Sequence, residues 1–162
     1  MIVRTHINFS ISGIDLNPIQ IENEFNFCFS KVGLKGELHT KGRFKGEPRT
    51  ESTAEYLVDI EPYSDEETEI VRTAELAAKI NNRSIELGIE DSVFHIYFYY
   101  AAQCALSLEQ KTLSALSKLD FVNIDCCKLY DMYETTQKGD EELIRFYSDG
   151  KLEKEVTIKI GA

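Results

Sequence analysis

The sequence predicts an α+β fold: a mainly antiparallel sheet with about three helices packed on it and a C-terminal β-hairpin. Runs with a two-residue apolar period recur at 2–12, 52–61 and 92–102. Between them lie segments that open on capping residues and carry apolar side chains at helical spacing. Near the end, Asp149-Gly150 separates two alternating runs, a strong signal for a tight hairpin turn.

The first strand sets Val3, Thr5, Ile7, Phe9 and Ile11 on one side against Arg4, His6, Asn8 and Ser10. "DLNPIQIENEF" then starts a helix, with Asn17 as cap, Pro18 at the first helical position and Gln20 completing the capping pattern. "NFCFSKV" (26–32) reads as a short strand, and Gly33, Gly36, Gly42 and Gly46 keep the following loop irregular. After the strand at 52–61, Ser64 or Asp65 caps the longest helix, whose first turn carries Glu66, Glu67 and Glu69 at the positive end of the helix dipole. Its apolar stripe is Ile70, Val71, Ala74, Ala77, Ala78 and Ile80, and Asn81, Asn82 and Gly88 close it. "SVFHIYFYYAA" (92–102) is the strongest strand signal in the chain. A helix over 107–118 opens on a Ser107-x-x-Gln110 capping box, and 120–130 forms a further strand. Residues 131–140 read as a polar connector before the hairpin strands "EELIRFYS" and "KLEKEVTIKI". The plan is one domain over 1–162, with an α+β core over 1–130 and the hairpin over 141–160. The β-α segments beginning "INFSISG" and "IYFYYAA" share an order of strand, polar link, leucine and glutamine-completed helix start, a faint internal echo.

Charge narrows the function. The chain carries a formal net charge of −10, yet residues 31–50 hold six cations against Glu37 and Glu47. Residues 51–91 hold twelve acids against Arg72, Lys79 and Arg83. Such a molecule repels nucleic acid at long range and attracts basic proteins. The basic stretch "HTKGRFKGEPRT" (39–50) is expected either to pack against acidic neighbours or to face a mixed-charge partner, not to clamp nucleic acid. No apolar run approaches the roughly 20 residues of a membrane span. The start, "MIVRTHINFSISG", lacks a secretory layout, so the cytosol is the expected compartment. Cys28, Cys104, Cys126 and Cys127 show no CxxC pair and read as reduced thiols.

Catalytic motifs are absent: there is no nucleophile elbow, phosphate-binding loop, dinucleotide fingerprint, H-E-x-x-H or calcium loop. His6, His39 and His95 lie in separate elements; pairing of the first and 92–102 strands would bring His6 and His95 together, with Cys28 or Cys104 as a recruitable nucleophile or ligand. Asp125 is the one acid within an otherwise apolar strand. Along 92–102, Phe94, Ile96, Phe98 and Tyr100 face the core, and His95, Tyr97 and Tyr99 face the other way. Left without helical cover, those three make a protein-recognition surface; covered, they are core.

"FSISGIDLNPIQIENEF", the basic "FKGEPR", a strand, an acidic helix and "VFHIYFYYAAQCALSLEQKTLSALSKLDFVNIDCC" together resemble an uncharacterised bacterial domain family. That family has an LDP-type helix start, a KGE loop and a strand-Leu-Ser-helix-strand close. The resemblance spans residues 5–130; the chain departs from it where "EYLVDIE" stands in place of a tryptophan-bearing strand, and in its added hairpin. Small acidic proteins of this kind are similar to immunity proteins of polymorphic and contact-dependent growth-inhibition toxins. The resemblance implies a non-enzymatic, cofactor-free, metal-free inhibitor of a cognate basic toxin, with a nuclease as the expected target. Its candidate contacts are Glu61, Asp65, Glu66, Glu67 and Glu69, with Tyr97 and Tyr99. Two alternatives stay open. One is a small-ligand protein or enzyme with a pocket at the loop residues Lys41, Arg43, Lys45, Glu47 and Arg49, near His95. The other is an adaptor that forms homo-oligomers, a homodimer in the simplest case, through an open sheet edge.

Overall fold

Thr5, Ile7, Phe9 and Ile11 alternate with polar residues, and in the computed structural model this period becomes one buried face of a long strand, β1 (Ile2–Gly13); Val3, expected on the same face, sits at a β-bulge and is buried in a separate cluster instead. The structure describes residues 2–61, 66–103 and 106–159. Among them the chain continues through α1 (Pro18–Phe25), β2 (Lys31–Gly33), β3 (Ser52–Ile60), α2 (Glu66–Asn81), α3 (Ser84–Leu87) and β4 (Asp91–Ala101). It ends with α4 (Gln110–Leu116), β5 (Val122–Tyr130), β6 (Met132–Lys138), β7 (Glu141–Ser148) and β8 (Lys151–Lys159). The class is α+β, with strand outweighing helix.

Five strands form one sheet in the order β2-β3-β1-β4-β5, and three form a second in the order β6-β7-β8. Neighbours are antiparallel except β4 and β5, which run parallel. A parallel pair needs a crossover connection, and α4 lies within it. At the centre, β1 and β4 set Ile7 beside Ile96 and Phe9 beside Phe94. The helices close over that face: Ile21 of α1, Ile70, Ala74, Ala77 and Ile80 of α2, Leu87 of α3 and Leu116 of α4 join the same core. Each fully buried Phe or Ile contributes about 1.5–3 kcal/mol of transfer free energy, so this side dominates stability. Among the described residues no helix covers the opposite face, whose residues stay half-exposed. A smaller core of Val3, Ala101, Ile144 and Phe146, flanked by Tyr99 and Tyr130, joins the second sheet to the end of the first.

Local signals succeed where backbone groups have no competing partner. Asn17 accepts from the Gln20 amide at 3.3 Å and Pro18 opens α1, as expected. Asp149 and Gly150 adopt φ of 50° and 72°, the conformation of a type I′ turn.

Three expectations are corrected. Residues 26–30 are not strand: Asn26 ends α1 in the left-handed region, and the Phe29 amide donates to the Glu22 side chain at 2.7 Å. Only Lys31–Gly33 pairs with β3, because Phe27 and Phe29 pack inward edge to face instead. The Ser107-x-x-Gln110 box does not form; Glu67 of α2 takes the Glu109 amide at 3.1 Å and the Thr112 hydroxyl, capping α4 from outside. Residues 132–138 are a strand, so the C-terminal hairpin is the second and third strand of a three-stranded sheet. The short α3 makes four helices among the described residues, in keeping with the about three expected. Ser64 and Asp65, expected to cap α2, lie outside the described residues.

Gly13 ends β1 where the link into β4 crosses it. A Cβ there would lie 2.0 Å from the Gly88 carbonyl oxygen, and Gly88 is itself held at φ 68° against Asp15. Gly13→Ala is expected to cost about 3 kcal/mol by overpacking backbone against backbone. Urea unfolding should show a lower midpoint at unchanged slope; an unchanged midpoint would contradict this packing.

Candidate functional site

Outward residues of β3, β1, β4 and β5 line up in rows across the uncovered face. Thr53, Ser12 and Asp91 form one row, and Glu55, Ser10 and Val93 the next. Leu57, Asn8, His95 and Asn123 follow, then Asp59, His6, Tyr97 and Asp125. Arg4, Tyr99 and Cys127 form the last. The β1–β4 pairing thus brings His6 and His95 one row apart, as their alternation in sequence implied.

Two carboxylate–histidine pairs organise the face. Asp59 Oδ1 accepts from Arg4 Nε at 3.1 Å and meets His6 Nδ1 at 2.9 Å. The bond from Arg4, then that from His6, holds the Asp59 carboxyl below its ordinary range. Asp125 Oδ2 lies 2.7 Å from His95 Nε2. The Tyr97 ring stacks on His95 with centroids 3.9 Å apart and planes 17° apart. Burial, with the Asp125 charge second, pushes the Tyr97 phenol up, which keeps it protonated. His6 packs against the other side of this group, 5.9 Å from the Tyr97 ring, and Arg4 sits 5.9 Å over Tyr99. Asn8 Oδ1, in the middle of the face, is buried without a hydrogen-bond partner.

Asp125, His95 and Tyr97 have the composition of a proton relay without its geometry. The Tyr97 hydroxyl lies 3.1 Å from His95 Nδ1, but between nearly parallel rings that approach is onto the imidazole face, away from the in-plane lone pair. A relay needs an in-line bond at both nitrogens. What the rings do form is a rigid, amphipathic stack on a sheet floor.

The remaining candidates divide by what they touch. Glu66 accepts from the Thr5 hydroxyl at 3.0 Å, Glu67 caps α4, and Glu69 pairs with Arg72 at 3.1 Å, so this acidic turn fastens α2 to β1 and α4. Glu61 is exposed just after β3, and Asp65 lies outside the described residues. Residues 36–49 fold back as a hairpin-like loop: His39 N donates to Glu47 O at 2.9 Å, Arg49 N to Glu37 O at 2.8 Å, and Leu38 bridges Pro48. Its tip exposes Lys41, Arg43, Lys45 and Glu47, and Arg43 lies 4.7 Å over the Phe44 ring. Among the described residues none of these three cations forms an ion pair, so acidic neighbours do not neutralise the tip. Arg49 alone turns inward. A cavity beside it is lined by Glu47 and Arg49 but by neither Lys45 nor His95. Cys28 is exposed before β2, Cys127 shares the uncovered face, and Cys104 is outside the described residues.

Arg4 and Asp59 were not singled out from sequence. The usable signal was the period that put Arg4 beside His6 on β1's outer side and Asp59 on the outer side of β3. Among the described residues no group of three or more His, Cys, Asp or Glu could hold a metal, and no helix is long and apolar enough to cross a membrane. No protein-family model, curated protein or solved structure matches the chain.

Because the folded Asp59 carboxyl is held low, its contribution is present above the ordinary value of 3.8 and is lost as pH falls through the lower folded value. Asp59 is half-exposed, which limits that contribution to under about 1 kcal/mol. Asp59→Asn should therefore be slightly less stable at neutral pH, with the gap closing in strong acid. A gap constant across that range, measured by urea unfolding, would contradict the assignment.

Proposed function

We propose that the protein is a non-enzymatic inhibitor of the immunity type, which binds a cognate basic toxin in the cytoplasm and blocks it. A nuclease is the target class best matched by its charge. The observation that carries this reading is the uncovered sheet face, where His6, His95 and Tyr97 stand on a rigid floor with Asp59 and Asp125 beside them, while Tyr99 at its end packs against the second sheet.

Energetics support recognition over mere structure. The ion pairs on this face are surface pairs worth under about 1 kcal/mol each. The opposite face already supplies the apolar burial that holds the sheet. An aromatic anchor buried in an interface contributes about 2 kcal/mol or more, and tyrosine gives that area at low entropy cost. The net charge of −10 draws a basic partner in from a distance, and acidic groups on the face can occupy a site meant for phosphate. Reversal of Glu66 or Glu67 is a poor probe, because both tie helices to the core.

The test is capture on the tagged protein from its native cell lysate at low and moderate salt. The recovered partner is then purified and its activity assayed with and without this chain. One basic partner whose activity is suppressed is expected. The Tyr97→Ala/Asp125→Lys double variant should weaken binding about 30-fold or more while retaining the wild-type circular dichroism. Suppression unaffected by the double variant would remove the face from the interface, and no partner at either salt would end the inhibitor reading.

A further inference from the structure

Against the 36–49 hairpin lies a half-open cavity of about 260 Å³ lined by His39, Phe44, Glu47, Pro48, Arg49 and Glu51, among others. Arg49 and Glu51 also line a second groove, which runs onto the uncovered face over Ser10 and Ser12. Arg49 thus stands between two concave spaces.

Its guanidinium is built into place. A Cβ at Gly33 would lie 2.4 Å from Arg49 Cζ and 2.6 Å from Nε, so the glycine leaves room for the group to lie against β2. Arg49 Nε is buried and has no hydrogen-bond partner, and among the described residues no carboxylate forms an ion pair with this side chain. Nε is closed to solvent against β2, so a molecule in the cavity meets the guanidinium through its terminal nitrogens. Guanidinium presents a planar fork that suits carboxylate or phosphate. Phosphate is the poorer match, since Glu47 and Glu51 line the same small cavity and would repel a dianion. A simple cation would face Arg49. A molecule that carries both charges a few ångströms apart meets both requirements. Phe44, with Arg43 over its ring, and Pro48 add an apolar wall. The volume lies below that of ordinary drug-sized sites, which restricts the ligand to a small metabolite no larger than a single amino acid.

We infer that this cavity is a binding site for a free α-amino acid. The α-carboxylate engages Arg49, the α-ammonium lies toward Glu47 and Glu51, and an apolar side chain rests on Phe44 and Pro48. This site is independent of the inhibitor reading, since it lies at the hairpin base and needs neither Tyr97 nor Asp125.

Isothermal titration of the full chain with L-leucine and L-phenylalanine tests it, beside L-leucinamide, which lacks the carboxylate, and N-acetyl-L-leucine, which lacks the ammonium. Binding of at least one free amino acid at millimolar concentration or better is expected, with each blocked analogue weaker by about tenfold or more. Arg49→Gln should lose the binding. Gly33→Ala, which keeps the charge but displaces the guanidinium, should lose it too, both with wild-type circular dichroism. If Gly33→Ala fails to fold, Arg49→Lys is the substitute; it keeps the charge without the fork and should weaken binding about tenfold. No binding of either free amino acid, or equal binding by Arg49→Gln, overturns the proposal. N-acetyl-L-leucine binding as well as leucine overturns it in favour of a peptide C-terminus.

Discussion

The central β1–β4 pair is apolar on one side only, and most of the architecture answers to that asymmetry. Ile7, Phe9, Phe94, Ile96 and Phe98 are almost fully enclosed, and they recruit helical cover to their side alone. Because the side-chain period of a strand is two, the same strands must then present His6, Asn8, His95 and Tyr97 to the other side. A register slip of one residue would bury the histidines and expose the phenylalanines. The hydrophobic demand of one face therefore fixes the positions of the polar groups on the other.

Helix placement follows from the same demand, with polar tethers adding precision. Glu66 reaches the buried Thr5 hydroxyl and Glu67 caps α4, so two acids at one end of α2 position it against β1 and against the crossover helix. An acidic first turn suits the helix dipole, and here it also bonds to neighbouring elements. What looks in sequence like an exposed acidic patch is thereby partly structural. The uncovered face bears less of the fold's stability, which leaves its residues free to serve recognition.

Strand positions were legible wherever burial is one-sided. The alternation at 2–12 and 92–102 placed β1 and β4 and separated His95, Tyr97 and Tyr99 from the core. Where a backbone group found a partner distant in sequence, local reading failed. Ser107-x-x-Gln110 resembled a cap, but Glu67, more than forty residues away, holds that helix end. "MYETTQK" lacks an apolar period and read as a connector; it is strand because β7 supplies a ladder for it. The site was half legible. Tyr97 and His95 could be assigned a face, whereas the Arg4–Asp59–His6 group depends on a strand register that no local pattern encodes. In sequence Arg49 is one loop cation among several, and its placement depends on Gly33 across the hairpin base.

The charge distribution follows from how the hairpin loop satisfies its backbone. Bonds from His39 to Glu47 and from Arg49 to Glu37 close the loop on itself, so its tip has no need to lie down on the acidic body. Lys41, Arg43 and Lys45 stay solvated instead, where a cation costs nothing to keep. For the partner proposed above, at distances larger than the spacing of these charges their sum dominates, so its approach is set by the acidic whole, an attraction that salt weakens beyond about 8 Å. At contact the order inverts: the partner meets a cationic tip beside a face of histidine, tyrosine and aspartate. On the inhibitor reading proposed above, a basic protein that carries no acidic counterpart for the tip is drawn in and then rejected. Under that proposal attraction comes from the net charge and discrimination from the local exception to it, which would give a strongly acidic chain a physical use for one basic loop.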